Sequence, residues 1–167
     1  MKKEISLGEV IAIASEGHKK QKDKAKKAYI LHCMRIMTAI SIKFADHPDV
    51  EKLMMVAICH DLVEDTDYTI EDLRKLGFPE DVLEGIDGIT KRDGEFYLDY
   101  LIRVALNFYS REVKKEDLSD NMDLKRLKGV REKDLKRIQK YSIAYAFLDN
   151  KLSFDDLISK MKDLNIN

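Results

Sequence analysis

Apolar residues recur at every third or fourth position along most of the chain, and this spacing limits the fold more than any other feature. The repeat places apolar side chains on one face of an α-helix, whereas a half-buried β-strand needs strict alternation. Only 7 Gly and 2 Pro occur among the 167 residues, so few positions interrupt the helices. The sequence therefore predicts an all-α protein of about eight or nine helices.

Capping signals indicate where several of these helices begin and end. Ser6 precedes the first apolar stripe, and Thr69 is followed three residues later by Asp72, which is the spacing of a capping box. Gly77 is a typical helix stop. The chain contains no internal repeat, low-complexity tract or linker, and this continuity predicts a single domain spanning residues 1–167.

Composition argues against several classes of protein. The formal net charge of -1 disfavours binding to a bulk polyanion. No apolar run approaches the roughly 20 residues that a membrane span requires. Two cysteines and the lack of a secretory segment are typical of a reduced compartment. We therefore expect a cytoplasmic protein with no membrane partner.

The segment ICHDLVEDTDYT, residues 58–69, places several ionisable groups at the end of an apolar run. His60 and Asp61 offer an imidazole nitrogen and a carboxylate oxygen, a mixture that suits Mn, Fe or Zn better than Mg or Ca. On a continuous helix, Glu64 would lie over His60 and Asp65 over Asp61. A divalent metal would relieve the repulsion within this cluster. The alternative interpretation is a solvated helix end.

Two other segments contain residues of the same chemical types. His32 lies in the middle of the apolar stretch YILHCMRI, where a lone histidine is more often a hydrogen-bonded core residue. Farther along, polar residues recur at close spacing, namely Asp117, Asp120, Asn121 and Asp123. A polar surface helix explains that second pattern when it is taken alone. Three such segments in one chain favour a metal site.

Together these segments resemble the HD-domain metal-dependent phosphohydrolases, and most closely the hydrolase domain of Rel/SpoT proteins and the small stand-alone alarmone hydrolases. The shared motifs are A-x-x-x-H-x-x-Q (Ala14, His18, Gln21), Y-x-x-H (Tyr29, His32), HDxxEDT (His60 to Thr66), DGITK (Asp87 to Lys91) and VKxxD…N (Val113, Lys114, Asp117, Asn121). The resemblance implies a compact HD-domain helical fold. Its metal-site core would cover about 11–127, followed by C-terminal helices at 131–164.

The resemblance also implies a role for individual residues. The implied metal ligands are His32, His60, Asp61 and Asp117, the acid/base pair is Glu64 and Asp65, and the substrate contacts are Lys24, Tyr29 and Asn121. The implied ion is Mn²⁺, which would activate a water molecule for attack on phosphorus. The implied activity is that of a (p)ppGpp 3′-pyrophosphohydrolase, with a phosphorylated nucleotide as its small-molecule partner.

One position departs from the family pattern. Asp23 stands where the Rel-type hydrolases have an Arg that stacks on guanine, and a carboxylate cannot provide cation–π stacking. A nucleotide or dinucleotide phosphatase with a different base specificity is therefore an alternative. A non-catalytic module that binds an anionic metabolite is a second alternative. Glu64 and Asp65 argue against that module, because binding alone does not require an acid/base pair.

The remaining candidate residues have ordinary structural explanations. The lysines between 19 and 27 form a solvated surface or line the mouth of the site, and nucleic acid is a disfavoured partner because no aromatic residue interleaves with them. We expect Cys33 and Cys59 to face the core, and His18 to support the site rather than bind the ion. The apolar stripe at 141–148 fits either the core or a contact between subunits, which leaves a homo-oligomer open.

Overall fold

The computed structural model describes residues 4–23, 26–126 and 129–166 and contains, within these ranges, ten α-helical segments and one short 3₁₀ turn. The α-helices are α1 Leu7–Gly17, α2 Ile30–Lys43, α3 Val50–Cys59, α4 Leu62–Asp65, α5 Ile70–Lys75, α6 Glu80–Ile89, α7 Tyr97–Leu106, α8 Phe108–Met122, α9 Glu132–Leu148 and α10 Phe154–Asp163. Apart from the single turn α4, nine are at least six residues long. The predicted all-α class and helix number are confirmed. No helix in the described ranges is long and apolar enough to cross a membrane.

The predicted capping signals form as expected at two helix starts. The Ser6 side chain accepts a hydrogen bond from the Glu9 backbone, and the Glu9 carboxylate accepts one from the Ser6 backbone at 2.8 Å. Thr69 and Asp72 form the same reciprocal arrangement at the start of α5. Pro79 is the N-cap of α6, which begins one residue later at Glu80. Its fixed φ of -60° is compatible with this position.

Two hydrophobic clusters form the interior, and α8 contributes to both. The first surrounds α3 and includes Val113 of α8 together with the fully buried Cys33 and Cys59, which confirms that both thiols face the core. The second is built from α7, α9 and α10 and includes Leu118 of α8. Most of the C-terminal apolar stripe packs against this second cluster. Asp117 follows Val113 and directly precedes Leu118 on α8, so it lies where the two clusters meet.

Helix α6 approaches α8 closely at Gly88, because this position has no side chain. A Cβ atom added there would overlap the hydroxyl of Ser110 and lie 3.2 Å from its Cβ. Ser110 is buried, and its hydroxyl donates a hydrogen bond of 2.8 Å to the Gly85 carbonyl oxygen. The hydroxyl therefore cannot move aside without losing this bond.

We expect Gly88→Ala to lower the free energy of unfolding by about 1–3 kcal/mol, which is typical of overpacking in a core. The measurement is a urea denaturation curve monitored by circular dichroism. Gly8→Ala in α1 is the matched control, because an added Cβ there meets no atom within 4 Å. This control should be neutral or stabilising by roughly 1 kcal/mol, owing to the higher helix propensity of Ala. Equal stability changes for the two variants would contradict the prediction.

Candidate metal centre

His60 and Asp61 lie in a break between two helices rather than inside one helix. Helix α3 ends at Cys59 and α4 begins at Leu62, and Asp61 between them has φ -106° and ψ 0°. The helix is not continuous here, so the condition under which Glu64 would lie over His60 is not met. His60 Nδ1 lies 2.8 Å from the Ala57 carbonyl oxygen. A carbonyl only accepts, so Nδ1 donates, and in the neutral imidazole the lone pair that could bind an ion is on Nε2.

Side chains from two more helices converge on His60. His32 from α2 and Asp117 from α8 have ligand atoms that lie, with that of His60, within 4.8 Å of one another. The shortest distance, between His32 Nε2 and Asp117 Oδ1, is 3.2 Å. Asp61 Oδ2 lies 2.8 Å from His60 Nε2 and 3.9 Å from His32 Nε2. The structure thus brings together the four residues predicted as metal ligands.

The geometry of these residues fits a divalent transition ion. Ligand atoms at about 2.1 Å from an ion are separated from their neighbours by about 3 Å, close to the shortest of the separations observed here. His32, His60 and Asp117 are only 4%, 1% and 5% exposed. His60 Nε2 is buried, and although the Asp61 carboxylate lies 2.8 Å away, the nitrogen forms no hydrogen bond of regular geometry with any described residue. Two imidazole nitrogens and two carboxylate oxygens in one buried cluster are a donor set that suits a divalent transition ion.

Neighbouring charges shift the ionisation of the cluster strongly. Burial lowers the pKa of His60, but the Asp61 carboxylate outweighs this effect and holds the pKa well above its ordinary value. Burial raises the pKa of Asp61, whereas the His60 charge lowers it to about 2. The pKa of Asp117 also falls well below its usual range, because Lys114 and the imidazoles outweigh burial. The carboxylates are therefore anionic at neutral pH, as metal ligands must be.

Two of the predicted substrate contacts are hydrogen-bonded to these carboxylates. The Tyr29 hydroxyl donates to Asp61 Oδ2 at 2.5 Å, and Asn121 Nδ2 donates to Asp117 Oδ1 at 2.6 Å. Both side chains therefore orient candidate metal ligands. Their contact with substrate stays a prediction, and Lys24 lies outside the described residues.

Glu64 and Asp65, the predicted acid/base pair, are held by different partners. Glu64 Oε2 accepts a hydrogen bond of 2.8 Å from the Lys91 backbone, and burial raises the pKa of this carboxyl above its ordinary value. Asp65 Oδ2 accepts a hydrogen bond of 2.7 Å from Gln21 Nε2. The side-chain oxygen Oε1 of Gln21 lies 2.7 Å from Nδ1 of the buried His18. His18 thus contacts the site through Gln21, as expected for a supporting residue.

A cleft of about 360 Å³ adjoins the cluster and is lined by Asp61 and Glu64 together with three lysines, Lys91, Lys114 and Lys140. Lys114 donates to Asp117 at 2.8 Å, whereas Lys91 and Lys140 have no carboxylate partner among the described residues. Lys140 Nζ lies 3.6 Å from the centroid of the Tyr97 ring, and burial, followed by the nearby Lys114 charge, lowers its pKa. The cleft therefore combines carboxylates with uncompensated cations.

The sequence provided an uneven signal for these lysines. Lys91 ends the DGITK motif, but no role was assigned to it from the sequence. Nothing marked Lys140, because a lysine on a polar helix is common. Its position beside the site depends on how α9 packs against α7 and α8.

Asp23, which departs from the family pattern, has a structural contact in the loop between α1 and α2. Its carboxylate accepts a hydrogen bond of 2.9 Å from the Lys27 backbone nitrogen. The bond closes the turn that leads into the isolated bridge between Lys22 and Ala28. Lys19, Lys20, Lys22, Lys26 and Lys27 are exposed around this loop.

Comparison with known proteins reveals similarity along nearly the whole chain, although no protein-family model matches it. A protein named GTP pyrophosphokinase from Streptomyces coelicolor is 30% identical in an alignment of length 161 that covers 91% of this chain and 18% of that protein. A protein named guanosine-3′,5′-bis(diphosphate) 3′-pyrophosphohydrolase from Haemophilus influenzae is 27% identical in an alignment of length 165 that covers 92% of this chain and 23% of that protein. The chain thus spans about a fifth of the length of these curated relatives.

A solved structure has the same fold over almost the whole chain. It is described as a metazoan ortholog of SpoT that hydrolyses ppGpp, and it superposes with a TM-score of 0.69 at 23% identity. The match covers 98% of this chain and 96% of that chain. The helical fold implied by the motifs is confirmed.

Proposed function

We propose, on the premise that this chain is an HD-type relative of the Rel/SpoT hydrolases, that it is a metal-dependent phosphohydrolase that removes the 3′-pyrophosphate of guanosine alarmones. The observation that carries this proposal is the convergence of His32, His60 and Asp117, three buried side chains whose ligand atoms lie within 4.8 Å of one another. The relatives named above support the substrate. We also propose Mn²⁺ as the ion and the cytoplasm as the location.

The four proposed ligands, His32, His60, Asp61 and Asp117, would hold the ion through two nitrogens and two carboxylate oxygens. When bound, a divalent metal supplies a Lewis acid that lowers the pKa of water and polarises a phosphoryl oxygen. The surrounding hydrogen bonds keep the ligands in place, since Tyr29 and Lys114 each donate to one of the carboxylates.

Glu64 and Asp65 would move the protons of the reaction. Water attacks the phosphorus bound to the 3′ oxygen, and the bond between this phosphorus and the 3′ oxygen breaks. Pyrophosphate is released with the oxygen of the water molecule. Glu64 lines the cleft beside Asp61 and has a raised pKa, so its carboxylate is suited to accept the proton of the attacking water. The protonated carboxyl group then returns a proton to the 3′ oxygen as this oxygen leaves the phosphorus. Asp65, held by Gln21, is the second carboxylate of the pair.

The adjoining cleft supports a substrate with more than one phosphate group. The two carboxylate ligands would be occupied by the ion and would not pair with Lys91 or Lys140. The positive charges of these two lysines would therefore be available to further phosphate groups. Tyr97, Tyr100 and Tyr141 also line the cleft and offer aromatic surface to a nucleotide. A phosphorylated nucleotide combines both chemistries.

Asp23 favours a second candidate, a nucleotide or dinucleotide phosphatase with another base specificity. Its carboxylate is engaged with the Lys27 backbone, and it offers no planar cation to stack on guanine. The metal chemistry would be unchanged, but the base would be selected differently.

A screen of phosphorylated nucleotides in Mn²⁺-supplemented buffer, with a chelator control, tests both candidates. We expect pyrophosphate to be released from (p)ppGpp and release to stop when the metal is chelated. Release of orthophosphate from another nucleotide would support the second candidate instead. Tight binding of a nucleotide without turnover in excess Mn²⁺ would overturn both and indicate a binding module.

A further inference from the structure

Asp120 links the metal centre to a cation on the neighbouring helix. Its Oδ2 lies 2.7 Å from His32 Nδ1, on the side of the imidazole opposite the metal-facing Nε2. Arg35 forms two hydrogen bonds with the same carboxylate. Its Nε donates to Oδ1 at 2.7 Å, and its Nη2 donates to Oδ2 at 3.0 Å. His32, Asp120 and Arg35 thus form a continuous hydrogen-bonded chain.

This chain of contacts determines which imidazole nitrogen carries the proton. An ionised carboxylate only accepts hydrogen bonds, so His32 Nδ1 must donate. The Nε2 lone pair then faces Asp117 Oδ1, 3.2 Å away, and the proposed ion. The Ala57 carbonyl oxygen does the same for His60, so each imidazole has its own acceptor.

The helical spacing explains why these groups meet. Arg35 follows His32 by three residues on α2, and Asp120 follows Asp117 by three residues on α8. Residues at this spacing share a helix face. One carboxylate on α8 therefore contacts both an imidazole and a guanidinium on α2, and it aligns the two helices at the level of the ligands.

We propose that Arg35 and Asp120 are a positioning pair that orients His32 for metal binding. Arg35 holds the carboxylate bidentately, a geometry that restricts its rotation. The pair acts through His32 and does not contact the reacting atoms. This inference rests on the metal site of the proposed function but not on the identity of the substrate.

The test is the affinity of the purified protein for Mn²⁺ alone, measured by competition with a fluorescent chelator. We expect Asp120→Ala to weaken Mn²⁺ binding by about 10–100-fold, which is the usual effect of losing an outer-shell partner of a metal-binding histidine. Asp120→Asn, which keeps an oxygen acceptor without the charge, should have a smaller effect. Arg35→Ala should weaken Mn²⁺ binding too, but by a smaller factor than Asp120→Ala, because the Asp120 carboxylate remains beside His32.

Glu116→Gln is the matched control, because Glu116 pairs with Lys43 at 2.8 Å and also links α8 to α2 without contacting a proposed ligand. The Mn²⁺ affinity of Glu116→Gln should equal that of the unmodified protein.

Thermal melting without metal distinguishes a loss of folding from a loss of binding, and Asp120→Asn covers the case in which Asp120→Ala fails to fold. Unchanged affinity in both Asp120 variants, an equal loss in Glu116→Gln, or no Mn²⁺ binding by the unmodified protein would overturn the inference. Failure to hydrolyse (p)ppGpp with these affinity differences intact would affect only the proposed substrate.

Discussion

Replacing Asp61 with Asn is expected to remove both the bound metal and turnover. Asn keeps the size of the side chain but loses the anionic oxygen that lies 2.8 Å from His60 Nε2. The loss of a direct ligand should exceed the roughly 10–100-fold effect of an outer-shell change, so we expect Mn²⁺ affinity to fall by about 100-fold or more. Metal content after dialysis and hydrolysis of (p)ppGpp are the two measurements.

Asp67→Asn is the control for this variant. Asp67 is exposed and lies six positions farther along the same segment. Its replacement by Asn removes one negative charge, as Asp61→Asn does. It should retain metal and activity. Circular dichroism of both proteins establishes that the helices are intact. Full activity of Asp61→Asn would refute the assignment of Asp61 as a ligand.

Replacing Glu64 with Gln is expected to separate catalysis from metal binding. The amide oxygen of Gln can still accept the hydrogen bond from the Lys91 backbone, so the side chain should keep its position. It cannot accept a proton at neutral pH, however, and loss of general base catalysis typically costs about 10²–10⁴-fold in rate. We therefore expect kcat to fall by that factor while Mn²⁺ affinity and KM change little.

The control for this second variant is Glu84→Gln. Glu84 is an exposed glutamate on α6, outside the cleft, and its replacement should leave kcat unchanged. If Glu64→Gln lost its metal together with its activity, Glu64 would be a structural support of the ion instead of a proton acceptor. If kcat were unchanged, another group would have to accept the proton.

Much of the helical architecture was predictable because its signals are local. Ser6 and Thr69 mark the starts of α1 and α5 through hydrogen bonds within one turn of helix. Apolar spacing likewise indicated α2, whose buried residues include Ile36 and Ile40 one turn apart. The local pattern left open whether the helix continues through His60 and Asp61, and the structure shows that it is interrupted there.

The partners of the site residues were not predictable from spacing. Motifs named His32 and Asp117 as candidates, but the acceptor for His32 turned out to be Asp120, which had only been noted as one of several polar residues. Lys140 reaches the cleft although no motif includes it. Such contacts join residues far apart along the chain, and they depend on the angle and register at which helices cross.

The sequence by itself determined the all-α class, the capped helix starts and the residue types of a mixed nitrogen and oxygen metal site, because hydrophobic period, capping and ligand chemistry are properties of short segments. Only the tertiary structure decided which atoms meet. It brought His32, His60 and Asp117 within 4.8 Å of one another, interrupted the helix at Asp61, and placed Arg35 and Asp120 behind a ligand. The physical reason is that burying two hydrophobic clusters along α8 sets how the helices cross, and the crossing sets every distance in the site.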